Sequence, residues 1–178
     1  YPQMVWKDAR RDEFPDAEMK RIVKPFIQLT SHLIGCKCYN AKGIFPDDIE
    51  DYPPQDRTKL KLVLMLVGIR VAHPDLERQP YALLIQGMQG TGKNTFTDIL
   101  SRLIGSTHYK CSANIDDFLG THAEGLERAL VAVFNEAQIA DTAKHASKVK
   151  SLVTESKAIA NPKNIRPYEC TVTALFIA

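Results

Sequence analysis

The sequence predicts an α/β fold, a parallel sheet flanked by helices, with a helical region on its N-terminal side. Three observations carry this. Short apolar runs of strand length stand at 81–86 and 129–134. Stretches with helical periodicity separate them, and helices between buried strands imply parallel pairing. A glycine-rich turn joins the first of these strands directly to a helix.

The elements follow in order. Residues 1–15 show no clear period. A helix is expected from Asp16, with Ile22, Val23, Phe26, Ile27, Leu29, Leu33 and Ile34 recurring at spacings near three and four. Pro25 is expected to kink it or split it in two, and Gly35 to stop it. Residues 36–57, with three prolines and a cluster of aspartates, read as a long surface loop. A second helix is expected from about Arg57 to His73, apolar all round and therefore buried. Pro74 ends it.

Tyr81 to Gln86 reads as a strand buried on both faces. The next helix carries Phe96, Ile99, Leu100, Leu103 and Ile104 on one stripe. A second strand is expected at Ala129 to Phe134, a helix from about Thr142 to Thr154, and a last strand over Thr171 to Ala178. Between them, Lys157 to Arg166 reads as a hairpin with residues 161–164 at its tip.

Length and composition narrow the class. The chain has 178 residues, 44% hydrophobic and 25% charged. These are ordinary globular values, and they argue against collagen, coiled coil and wholesale disorder. A net charge of +2 neither demands nor excludes nucleic acid. The longest apolar stretch, Leu60 to Ala72, is interrupted by Lys61 and Arg70 and is shorter than the ~20 residues of a membrane span. Cys36 and Cys38 lack the spacing of a zinc knuckle, so reduced thiols in an intracellular, reducing compartment are expected. The five histidines show no metal spacing. The opening tyrosine suggests a piece of a longer polypeptide.

Gly87-Met-Gln89-Gly90-Thr91-Gly92-Lys93 fits the G-x-x-x-x-G-K part of the P-loop pattern, between the required strand and the required helix. Glycines let successive backbone N–H groups turn inward around a phosphate. The new helix adds its positive end, and Lys93 supplies a mobile charge. The pattern then wants a hydroxyl for Mg²⁺, but Asn94 stands there, with Thr95 one step on. An asparagine oxygen is still a possible Mg²⁺ ligand, directly or through water. Expected nucleotide contacts are Gly87, Gln89, Gly90, Thr91, Gly92, Lys93, Asn94 and Thr95.

A P-loop ATPase needs a second strand beside the first, ending in acidic groups. Leu130-Val-Ala-Val-Phe-Asn135-Glu136 fits, its polar tip at the carboxyl end of the sheet where ligands bind. Glu136 is the candidate to polarise water. Asn135 stands where an aspartate usually meets the metal's water shell, so Asn94, Thr95 and Asn135 form the candidate Mg²⁺ set. Charge also segregates. From Lys144 to Arg166 there are six bases against Glu155 alone. A lysine at the hairpin tip can reach a nucleic-acid phosphate. With aromatics scarce nearby, backbone tracking is favoured over base stacking.

The order of parts resembles superfamily 3 helicases, most closely the helicase domains of viral and phage primase–helicase polypeptides. Those parts are an apolar helix, His73-Pro74, a strand, the glycine-rich loop with Lys93-Asn94-Thr95-Phe96, Phe134-Asn135-Glu136, a lysine-rich helix, and a hairpin with Asn161-Pro162-Lys163. The resemblance covers roughly residues 57–178, with 1–56 as a collar-like helical region and loop. It implies an AAA+-like ATPase that assembles as a ring, usually of six subunits, and draws single-stranded DNA through its centre.

On that likeness ATP and Mg²⁺ are the cofactors. Lys93 binds phosphate, Asn94 or Thr95 serves Mg²⁺, and Glu136 activates water. Lys163, with Lys157 or Arg166, grips DNA. The resemblance also implies an upstream primase or primase–polymerase module and an infected host cell as the setting. The family's third-motif asparagine and arginine finger do not occur in this stretch, which leaves hydrolysis and ring assembly by these residues alone open. Two rivals stand beside this reading. One is a degenerate P-loop module, favoured by Asn94 and Asn135. The other is a small nucleotide kinase, disfavoured because only Arg102, Arg128 and Arg166 follow Lys93.

Overall fold

A computed structural model describes residues 16–40, 43–76, 80–118, 126–134, 150–160 and 165–178. Helix α1 spans Asp16–Leu33 and α2 spans Pro54–Ala72. Strand β1 (Ala82–Leu83) leads to α3 (Lys93–Ile104), then β2 (Tyr109–Ser112) and β3 (Val131–Phe134). Strands β4 (Lys157–Ala160) and β5 (Tyr168–Thr171) precede β6 (Leu175–Ile177). The main sheet has the order β1-β6-β3-β2 with every pairing parallel, and helices flank it. Strands β4 and β5 form a separate antiparallel pair.

Both faces of the sheet are covered, which explains the near-continuous apolar strands. The pleat sends alternate residues to opposite sides. Val131, Val133, Leu175 and Ile177 join a core with Leu33, Val63, Val67, Phe96, Leu100 and Ile104 of the three helices. Ala132, Phe134 and Phe176 face a second core with Phe118, Leu126, Leu152 and Val172. Fully burying side chains such as Phe96, Leu100 and Ile104 contributes roughly 1.5–3 kcal/mol each.

Several expectations are corrected. The last strand, rather than the acidic-ended one, lies beside β1: β6 sits between β1 and β3. Its three residues are all buried, as a central strand requires, whereas β1 has exposed neighbours in Tyr81 and Leu84 and suits the edge. The run 81–86 is therefore only half-buried. The stretch 171–178 is not one strand. Thr171 closes the hairpin, Val172 and Ala174 enter the second core, and β6 begins at Leu175.

Helix α1 continues through Pro25 without splitting. Its basal packing outweighs one lost hydrogen bond, since Phe26 stacks on Phe96 at 5.5 Å and Leu29 and Leu33 join the first core. Helix α2 is not buried all round: Leu62 and Met65 are exposed, while Leu60, Val63, Val67 and Arg70 point inward. In α3 the inward stripe runs through Phe96, Thr97, Leu100 and Ile104, and Leu103 is exposed.

The long connection after α1 lies on the surface as expected, but it is tied down. Tyr52 packs with Cys36 and Leu60 and meets the Ser31 hydroxyl at 3.1 Å. Exposed pairs Lys20–Asp48 at 2.7 Å and Arg57–Glu50 at 2.9 Å add smaller contributions. Of the expected lysine-rich helix, residues 150–154 are helical; its start lies outside the described residues. No helix among the described residues is long and apolar enough to cross a membrane.

Candidate functional site: the glycine-rich loop at the sheet's carboxyl edge

Because all four strands run parallel, their carboxyl ends share one edge of the sheet. Leu83 of β1, Ile177 of β6, Val133 of β3 and Cys111 of β2 stand in one row across it. The β1–β6 ladder continues beyond the strand proper. Ala178 donates its N–H to Leu83 O at 2.9 Å, and Ile85 donates to Ala178 O at 2.7 Å. The chain is thus held in register until two residues before Gly87. The loop then leaves from the edge where open α/β sheets bind ligands.

The loop's shape follows from its glycines. Gly90 and Gly92 adopt φ of +83° and +90°, a region unfavourable to any side chain. A Cβ on Gly87 would stand 3.1 Å from Thr91 Oγ1. That hydroxyl donates to Met88 O at 2.9 Å and braces the turn. Gly92 is the residue before α3, and no side chain caps the helix there. The first intrahelical bond runs from Phe96 N–H to Gly92 O at 3.0 Å. The N–H groups of Lys93, Asn94 and Thr95 precede it and have no intrahelical acceptor. Together with the helix dipole they suit an anion.

Lys93 begins the helix and bends back over the loop. Its Nζ donates to Gly87 O and, at 3.3 Å, to Met88 O. Its ammonium thus lies across the loop mouth, held by carbonyls rather than by a carboxylate among the described residues. Asn94 and Thr95 are exposed on the first turn of α3, and Thr97 is fastened to Asn94 O at 3.0 Å. Amide and hydroxyl oxygens there are hard donors of the kind Mg²⁺ takes alongside phosphate and water. Gln89 is exposed within the turn.

The other sequence candidates fall in two groups. Asn135 and Glu136 lie outside the described residues; β3 is described through Phe134, at the same sheet edge as the loop. Lys163 also lies outside them. The hairpin that would present it is there: β4 and β5 pair antiparallel, with Lys157 opposite Thr171 and Ala160 opposite Tyr168. Arg166 is exposed beyond β4. Lys157 is exposed too, but its ammonium pairs with Glu169 at 2.5 Å.

Three relationships escaped sequence reasoning. Leu29 of α1 packs against Gly92. Arg70 is buried at the end of α2, where its Nη1 donates to Leu76 O and Thr173 O, each at 2.9 Å. Burial holds its pKa below the usual arginine value. Tyr168 donates from its hydroxyl to Glu127 Oε2 at 2.6 Å, tying the hairpin to the segment before β3, and that hydrogen bond pushes the phenol's pKa upward. Arg70, a charge amid the apolar run from Leu62 to Ala72, was the one sequence signal available for any of these.

A parallel α/β sheet with a glycine-rich loop between strand and helix at its carboxyl edge defines the class of this protein. The family described as "Family of unknown function (DUF5906)" matches residues 85–178, more than half of the chain, and the chain belongs to that family. The matched span begins two residues past β1 and takes in the loop, α3, the hairpin and β6.

Solved structures of similar fold include the apo structure of the NrS-1 C-terminal region (305–718). It has a TM-score of 0.55 at 23% identity, over 86% of this chain and 33% of that one. The A form apo structure of the NrS-1 C-terminal region gives a TM-score of 0.57 at 23% identity, over 88% and 32%. The chain thus spans about a third of the length of these structures, and at this identity the likeness is one of fold. No curated protein matches the chain.

Proposed function

We propose that this chain is the ATP-binding core of a DNA helicase of a viral or phage replication protein, with a P-loop NTPase fold of AAA+-like type. The observation that carries the reading is the loop from Gly87 to Gly92. It has two left-handed glycines, an uncapped helix start behind it, and Lys93 folded across its mouth. A glycine-rich loop ahead of an uncapped helix start supplies backbone N–H donors and one mobile cation, which is what a triphosphate requires.

In this reading the backbone of Gly87, Gly90, Thr91 and Gly92 cradles phosphate, with Gln89 at the loop's outer turn. Lys93 exchanges its two carbonyl partners for phosphate oxygens. Asn94 or Thr95, with Asn135, would hold Mg²⁺ at the start of α3, directly or through water. Bound Mg²⁺ supplies charge neutralisation on the phosphates. Glu136, two residues past β3, orients and polarises the attacking water.

The position of β6 supports this arrangement, because it sets a one-strand gap between the loop-bearing strand and β3, about 5 Å per strand spacing on either side. A phosphate chain leaving the loop can cross that gap. The hairpin's Lys163, Lys157 and Arg166 contact single-stranded DNA. A homo-oligomeric ring, most simply a hexamer, and an upstream primase or primase–polymerase module complete the proposal for the full-length protein. The setting is an infected host cell.

The test is a titration of the chain with a fluorescent ATP analogue and Mg²⁺, alongside Lys93→Ala. Binding by the wild type and its loss in the variant are expected. Retained affinity in Lys93→Ala, with the fold intact by circular dichroism, overturns the assignment. Binding without hydrolysis in the full-length parent, unchanged by Glu136→Gln, favours the degenerate module signalled by Asn94 and Asn135.

A further inference from the structure

The outer face of the hairpin carries both charge signs. In the β4–β5 register, Lys157 stands opposite Thr171 and Ile159 opposite Glu169. Alternate residues share a face of a strand, so Lys157, Ile159, Glu169 and Thr171 lie together. All four are exposed, whereas Ala160 and Cys170 on the other face are buried. On the outer face the Lys157 ammonium meets the Glu169 carboxylate diagonally at 2.5 Å, with the two side chains 66% and 61% exposed. Beside the pair is a groove of about 310 Å³ lined in part by Phe118, Leu152 and Val172.

We infer that Glu169 sets how tightly the hairpin holds single-stranded nucleic acid, by keeping Lys157 in an ion pair that a backbone phosphate must displace. This rests on the reading that the hairpin contacts nucleic acid. An exposed pair of this kind is weak, so a phosphate can take the lysine from it. The carboxylate stays close by and repels the phosphate that replaces it. With Glu169 present, the two side chains together add no charge to the face. With glutamine they add one positive charge. Glu169 is therefore a built-in brake on DNA affinity that leaves the contact reversible, which suits a surface that must release one phosphate to take the next.

The experiment is anisotropy titration of the chain with a labelled single-stranded oligo(dT) over a range of salt. Glu169→Gln is expected to tighten binding about 2–5-fold at low salt, as loss of a weak exposed pair allows. It should also steepen the log K against log[salt] slope by ~0.7, the value for one further phosphate on a single strand. Lys157→Ala in the Glu169→Gln background should remove both gains, and affinity for the ATP analogue should not move in any of these proteins. The charge swap Lys157→Glu/Glu169→Lys should bind like the wild type. Wild-type binding that Glu169→Gln leaves unchanged or weakens overturns this inference alone. An oligonucleotide that no form binds, at low salt and with the fold intact, overturns the DNA-gripping reading and this inference with it.

Discussion

The Cδ1 methyl of Leu29 lies 2.9 Å from the point where a Cβ on Gly92 would stand. The last loop residue before α3 is thus pressed against the first helix of the chain. Gly92 also holds φ +90° and ψ 13°, left-handed backbone that side chains avoid. Two independent demands, space and dihedral angle, fall on one residue. They make α1 the backing of the phosphate-loop candidate, and the stack of Phe26 on Phe96 one turn further fixes the same two helices together.

Gly92→Ala should therefore lower stability by about 1–3 kcal/mol, the dihedral strain being ~1–2 kcal/mol of it. Leu29→Ala opens space for the new methyl but cannot relieve the backbone. The double variant should be less destabilised than the sum of the singles by roughly 0.5–1 kcal/mol. Urea midpoints of the four proteins measure this. Strict additivity would show that the leucine does not limit the site.

Variants at Glu136 and Asn135 distinguish the proposed motor from the degenerate module. If Glu136 activates water, Glu136→Gln in the full-length parent should reduce ATP hydrolysis at least ~10²-fold, the usual scale of a lost general base. Its affinity for the ATP analogue should be preserved, because the cradle of the loop is untouched. If Asn135 serves the proposed Mg²⁺, Asn135→Asp adds a charge to that set and should lower the Mg²⁺ concentration needed for half-maximal nucleotide binding. Single-turnover hydrolysis and Mg²⁺ titrations give both numbers. Equal loss of binding and hydrolysis in Glu136→Gln would mean a structural role for the carboxylate.

Arg70 holds together parts that are far apart in sequence. Its guanidinium, 3% exposed, joins the end of α2 to the turn at Leu76 and to Thr173, which leads into the central strand β6. Arg70→Met keeps the length of the side chain but leaves carbonyl oxygens without their donor. A bond from a charged donor is worth about 1.5–3 kcal/mol where its acceptor is shielded, and Leu76 is exposed enough for water to replace the lost donor, so a loss of roughly 1–3 kcal/mol is expected in chemical denaturation. Arg70→Lys should recover part of it, since a single ammonium can reach one carbonyl well and the other poorly. A Met variant as stable as the wild type would remove Arg70 from the account of how β6 is positioned.

How much of this was legible in the sequence depends on whether the signal was local. The glycine pattern, the helix that follows it and the apolar run of β3 depend on neighbours a few residues away, and all three stand where periodicity put them. The central place of β6 depends on which strands pair, and three apolar residues at 175–177 carry no record of that. Helix α2 misled for a related reason. Leu62 and Met65 are apolar but exposed, so composition overstated burial. The charge run from Lys144 to Arg166 looked uncompensated because Glu169, its partner at Lys157, lies just beyond it and comes back only through the hairpin register. Leu29 over Gly92 was illegible altogether, since nothing local links residues so distant.

Cys36 gives the structure a pH dependence of known sign. It is 4% exposed, packed with Tyr52 and Leu60. Burial pushes its thiol from 9.0 up to about 11, and the nearby Asp56 charge adds to the rise. Burial raises Cys38 and Cys170 as well. A folded-state pKa above the unfolded one means that the unfolded chain loses its proton first. The neutral thiol's contribution is then complete below about pH 9 and declines as pH rises toward 11. Urea midpoints of the wild type should fall across that window. Cys36→Ala should start lower, because a small cavity opens between Tyr52 and Leu60, but its midpoint should fall less steeply with pH. Parallel pH profiles for the two proteins would show that the Cys36 thiol is as free to ionise in the folded chain as in the unfolded one.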